Sequence, residues 1–213
     1  LQKNNKKFQR TENKIFLCAP VKFTTNENLA SLPGSEEEVN TIAALFNQSS
    51  TVVKYQDANE STIKNTILSD YNYLHFATHG IVDEDNPELS RIFFNSSKVD
   101  DGDLFAGEIF NLTLNADLAV LSACQTGLGK ISKGEGVIGL SRALTYAGVK
   151  KIVVSFWQVS DESTSILMTE FYKNLITKKM DHSSALKEAK VSLIQDKKFR
   201  NPYYWAPFVM IGH

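Results

Sequence analysis

An α/β fold with a mostly parallel sheet is predicted by three features of the sequence. Short apolar runs at 15–19 (IFLCA), 118–121 (LAVL) and 152–154 (IVV) are continuous rather than alternating, the pattern of strands buried on both faces. Segments with apolar residues at helical spacing lie between them, and strands alternating with helices along the whole chain mark the α/β class. Two of the strand-like runs also end on a reactive side chain beside glycine, Cys124 and His79. That places both at the carboxyl edge of a sheet, where open α/β folds bind ligands.

The elements follow in order. Residues 1–13 are polar, rich in Lys and Asn and without periodicity, which predicts a linker or frayed end; with Leu at position 1, an upstream region is expected, and residues 14–213 form the domain. The run 15–19 is a buried strand, and a loop closed by Pro33-Gly34 follows it. Ser35 and Glu38 read as an S-x-x-E capping box before Val39, Ile42, Ala43 and Phe46 at helical spacing, which predicts a helix. A strand at 51–55, a helix at 60–68 packed through Ile63, Ile67 and Leu68, and a strand-like run at 73–80 complete βαβαβ. The stretch from His79 to Cys124 is long for a connection and is expected to wall a site; it holds an apolar segment at 91–94, a turn at 100–103 and a short helical piece around Glu108. Beyond Cys124, helical spacing returns at 134–147 with Gly148 as its stop. A strand at 151–156 is next. Ser160 or Asp161 is expected to cap a long helix to about 177, Asp181 one to about 195, and 203–211 approaches a terminal strand.

The thiol of Cys124 leaves the strand 118–121 into a loop punctuated by Gly127 and Gly129. If the strands ending at Cys124 and His79 are neighbours, imidazole and thiol face each other, and the imidazole can take the thiol proton without a third residue. His75, four residues earlier, reads as a satisfied structural histidine; His182 and His213 are expected to be solvated. Cys18, within an apolar run, reads as an inert small hydrophobe.

Composition excludes several classes. The chain has 213 residues, enough for one domain with a good core, and 23 basic against 24 acidic residues, which gives no field for nucleic acid or an anionic membrane as partner. Two cysteines make a disulfide framework improbable and suit a reducing, cytoplasmic setting. No apolar run reaches the length of a membrane span, and neither C-x-x-C nor an EF-hand spacing supports a metal. A cysteine phosphatase wants C-x5-R, where this chain has Lys130, and a P-loop wants Ser or Thr after that lysine, where it has Ile131. Asp83, Glu84 and Asp85 read as a solvated acidic turn.

With HFATHG at 75–80, LSACQTG at 121–127, GEGVIGLSRALTYAG at 134–148 and WQVSD at 157–161 in this order, the sequence resembles the CHAT domain family of caspase-like cysteine proteases, in the superfamily of separases, gingipains and caspases. The resemblance implies a sheet of about six strands with helices on both faces, peptide-bond hydrolysis in protein or peptide substrates, and no cofactor. It puts the catalytic histidine at His79, the nucleophile at Cys124 and the oxyanion donors at the backbone amides of Gly80 and Cys124. Many relatives read W-P-V-D-D where this chain has Ser160 and then Asp161; in separases the similar segment lends an acidic residue to the pocket for a basic side chain, which makes Asp161 a substrate-binding candidate. The resemblance also implies a repeat or sensor region N-terminal to the domain. A catalytically silent interaction module on the same fold, the effector arm of a larger assembly, is the alternative.

Overall fold

The computed structural model describes residues 13–24, 29–83, 85–122 and 135–212, the side chains of 135–138 excepted. The strands β1 (Ile15–Ala19), β2 (Ser50–Lys54), β3 (Tyr73–Phe76), β7 (Leu118–Leu121), β8 (Lys151–Ser155) and β9 (Phe208–Gly212) form a six-stranded sheet in the order β2-β1-β3-β7-β8-β9. All neighbours are parallel except β8 and β9, which run antiparallel. A second, three-stranded antiparallel sheet is built from β4 (Gly80–Ile81), β5 (Arg91–Phe93) and β6 (Asp103–Phe105).

Alternation along each strand divides the core in two. Ile15, Leu17, Ala19, Tyr73, Leu118, Val120 and Val153 point to one face. There they meet α1 (Pro33–Leu45), α5 (Asp161–Tyr172) and α6 (His182–Gln195) through Val39, Ile42, Leu167, Phe171 and Ala189. Phe16, Cys18, Leu74, Phe76, Ala119, Leu121 and Ile152 point the other way. They meet α2 (Glu60–Asn65), α3 (Ala106–Ile109), α4 (Glu135–Tyr146) and the small sheet through Ile63, Ile109, Leu140, Leu144, Ile92 and Leu104. Each large apolar side chain so buried stabilises the fold by roughly 1.5–3 kcal/mol. Phe171 is fully buried, and its truncation to alanine is costed at about 3–5 kcal/mol.

Local details correct the sequence reading at α1 and α2 and make it definite elsewhere. Helix α1 begins at Pro33 with Leu32 as an N-cap that makes no side-chain bond; Ser35 Oγ donates to Leu32 O, and Glu38 turns inward, so the capping box does not form. Helix α2 ends at Asn65 and Ile67 is 68 % exposed, because a 3-10 turn at Leu68–Asp70 breaks the helical spacing. Ser160, not Asp161, caps α5, accepting from Ser163 N. Helix α5 continues as one π-helical turn, Lys173–Thr177. Asp181 caps α6 as expected, accepting from Ser183 and Ser184 N–H, and Gly148, at φ 102°, closes the helix before β8.

Candidate functional site at the carboxyl edge of the sheet

The chain leaves β1 to one side for β2 and to the other for β3, so the order of the sheet reverses at β1. The carboxyl ends of β3, β7 and β8 bound a crevice beside this switch point, the region where such sheets take ligands. A cavity of ≈ 20 Å³ opens there among His79, Ser122, Ser155, Asp161, Glu38 and Ser35, room for about one water molecule. Ser122 is buried, and its hydroxyl has no hydrogen-bond partner among the described residues.

β3 ends at Phe76, short of the 73–80 run the sequence suggested. The next three residues turn toward the small sheet: the Thr78 hydroxyl donates to Phe93 O, and Phe93 N–H donates to His79 O at 2.9 Å. In antiparallel pairing hydrogen-bonded and non-hydrogen-bonded pairs alternate. Gly80, opposite Ile92, therefore falls in a non-hydrogen-bonded pair, with its amide directed away from β5. The His79 imidazole is buried, with Nε2 2.8 Å from Ala30 O and its ring 5.1 Å from that of Phe23. A carbonyl can only accept, so Nε2 carries the proton and Nδ1 is left as the acceptor. Burial pushes this imidazole below the usual histidine value, against the opposing pull of the Ala30 hydrogen bond.

The strands that precede His79 and Cys124 in the sequence, β3 and β7, are neighbours in the sheet. β3 pairs with β7, Phe76 opposite Leu121, and Ser122 N–H donates to Phe76 O at 3.1 Å. Cys124, two residues on, lies outside the described residues, as does its amide. Cys18 is fully buried on β1, and burial drives its thiol far above the usual value.

Asp161 sits in the first turn of α5, with Oδ2 accepting the Gly34 N–H of α1 at 2.5 Å. Burial first, and then the nearby Glu38 carboxylate, raise its pKa, while the Gly34 bond lowers it. Glu38 was not singled out by sequence as a site residue. It is buried, lines the cavity and accepts from His75 Nε2 at 2.7 Å. His75 reaches it because position 75 shares the face of Tyr73, toward α1. The structural reading of His75 therefore holds. His182 is half-buried rather than solvated, its ring 6.3 Å from that of Tyr73. His213 lies outside the described residues.

A profile of the CHAT domain matches residues 2–213. The chain belongs to the CHAT domain family. Human tetratricopeptide repeat protein 28 is 34 % identical over 109 residues, 51 % of this chain but 4 % of that protein. Among solved structures, gingipain R, an Arg-specific cysteine proteinase, superposes with TM-score 0.62 at 10 % identity over 94 % of this chain and 46 % of its own. The Saccharomyces cerevisiae separase–securin complex gives 0.57 at 16 % over 94 % of this chain and 12 % of its own. The Drosophila initiator caspase Dronc gives 0.53 at 8 % over 93 % and 79 %. At these identities the likeness shows the fold, and the fold is caspase-like. Among the described residues no helix is long and apolar enough to cross a membrane, and no group of three or more His, Cys, Asp and Glu side chains is arranged to hold a metal ion.

Proposed function

We propose that this CHAT domain is a cysteine endopeptidase with His79 as base and Cys124 as nucleophile. The observation that carries the reading is the pairing of β3 with β7, which sends both functional stretches out of adjacent strand ends beside the switch point. His79 Nδ1 takes the thiol proton, and the thiolate attacks the carbonyl carbon of the scissile peptide. The amides of Gly80 and Cys124 hold the oxyanion, where charge develops. The imidazolium then protonates the leaving amine; water, deprotonated by the same nitrogen, cleaves the thioester and restores the thiol.

Asp161 gives the cavity an acidic wall, and the Arg specificity of gingipain R supports a preference for Lys or Arg before the cut. On this reading the domain is latent and is switched on from outside. The tetratricopeptide repeat relatives support an N-terminal repeat region as the source of the switch, and the silent interaction module is the limiting case in which it never opens. Mapping iodoacetamide adducts at neutral pH tests the nucleophile. Cys124 labels first on this reading, since Cys18 is buried; first labelling at Cys18 would rule the reading out.

A further inference from the structure

Asn95, just past β5, is fully buried, and its amide makes four bonds to distant parts of the chain. Nδ2 donates to Lys22 O at 3.0 Å and to Tyr55 O at 2.8 Å. Oδ1 accepts from Thr24 N–H at 3.1 Å and from the Thr24 hydroxyl at 3.3 Å. Lys22 and Thr24 are the two neighbours of Phe23, whose ring lies against the His79 imidazole at an interplanar angle of 38°. The amide is itself anchored, because Asn95 N–H donates to Ala58 O and Asn95 O accepts from Glu60 N–H. On the other arm of the loop, Leu32 N–H donates to Val21 O at 2.8 Å, fixing the approach of Ala30, whose carbonyl takes Nε2.

We propose that Asn95 is a positioning residue for His79: by clamping the backbone on both sides of Phe23, it holds that ring against the imidazole and keeps the loop bearing the Ala30 carbonyl in reach of Nε2. An amide presents donors and an acceptor from one planar group. Aspartate would lose the donors, and leucine, of similar shape, loses both functions. The inference rests on His79 being the base, which the proposed function assigns. The clamp works by keeping water off the imidazole and by holding its tautomer. The other titratable groups lining the cavity are Asp161 of α5 and Glu38 of α1; the opposing pull on the imidazole comes from the Ala30 hydrogen bond.

The test is an NMR titration of the four histidines, with His79 assigned from its loss in His79→Ala, alongside cleavage of a fluorogenic peptide with Arg before the cut. The uncharged Asn95→Leu and Phe23→Leu are compared with Ile63→Val, a core change on α2. Both loop variants are expected to raise the His79 midpoint by about half a pH unit or more. They are also expected to lower kcat roughly 10- to 100-fold with little change in KM. Ile63→Val moves neither. If Asn95→Leu does not fold, Phe23→Leu decides. An unmoved midpoint in the folded loop variants, or an equal shift in Ile63→Val, overturns the proposal. A shifted midpoint with cleavage unchanged supports the clamp and sinks the role of His79 as base.

Discussion

Gly34 and Asp161 are joined by a hydrogen bond from the backbone of one to the carboxylate of the other, Gly34 N–H to Asp161 Oδ2. The bond ties the first turn of α1 to the first turn of α5 and fixes the cavity's acidic wall. There is no space for a side chain between them: a Cβ on Gly34 would lie 2.8 Å from Oδ2. Gly34→Ala must therefore push the carboxylate aside and lose the bond, at a cost of about 1–3 kcal/mol. Urea unfolding checks that loss. It should shrink in the Asp161→Ala background, where nothing is left to displace.

The same carboxylate sets the expected specificity. Asp161→Asn keeps the shape of the side chain and removes its charge, so on matched peptides with Arg, Met or Asp before the cut, activity should fall on Arg alone. A fall of roughly 10-fold or more in kcat/KM for Arg is expected, since a charged hydrogen bond contributes about 1.5–3 kcal/mol. Equal loss on all three peptides would leave Asp161 as a tie between helices.

Glu38 and His75 form a pair buried to within 1 % of full enclosure. Among the described residues His75 Nδ1 has no hydrogen-bond partner, so Glu38→Ala strands the whole imidazole in the core, at a cost of roughly 1–3 kcal/mol beyond the lost packing. Replacing both residues with apolar ones of similar size, Glu38→Leu with His75→Leu, should restore much of that loss, because neither polar group is then left unpaired. A double-mutant cycle by urea unfolding gives the coupling; additive losses would contradict the pairing.

The buried imidazole of His79 gives stability a direction with pH. Its folded pKa lies below the ordinary 6.5, so between these two values the unfolded chain binds more protons, and stability falls as pH drops through that window. The contribution is complete above 6.5 and lost as pH descends through the folded value. His182, lowered chiefly by burial, adds the same sign. The wild-type curve minus that of His79→Gln isolates the effect. Because the base acts as neutral imidazole, the acid limb of kcat/KM should also lie below 6.5; a limb at 6.5 would mean that the imidazole is solvated during catalysis, and one above it that a nearby negative charge holds it protonated.

The α/β class and four of the six strands of the large sheet to within a residue were legible because each is written in local patterns; the neighbouring of the His79 and Cys124 strands entered only as a condition, and strand pairing supplies it. The small sheet was not legible, since β4, β5 and β6 are two or three residues each and too short to show a period. Ser35 and Glu38 carry the letters of a capping box, yet a long-range partner, His75, takes the glutamate. Asp161 was noticed for its neighbourhood, but the first turn of α1 that it binds is far away in sequence. Asn95 gives no signal in the sequence, because its partners are far away along the chain and three of its four side-chain bonds go to backbone atoms. Cys124 and Gly127–Gly129 lie outside the described residues, so their geometry adds nothing to what the motif implies.

The central claim is tested most directly by cleavage of a proteome-derived peptide library with the full-length protein, run beside Cys124→Ala and His79→Ala. The account predicts new peptide ends from the wild type, enriched in Lys or Arg before the cut, and none above background from either folded variant. The same cleavage by Cys124→Ala as by wild type would contradict it.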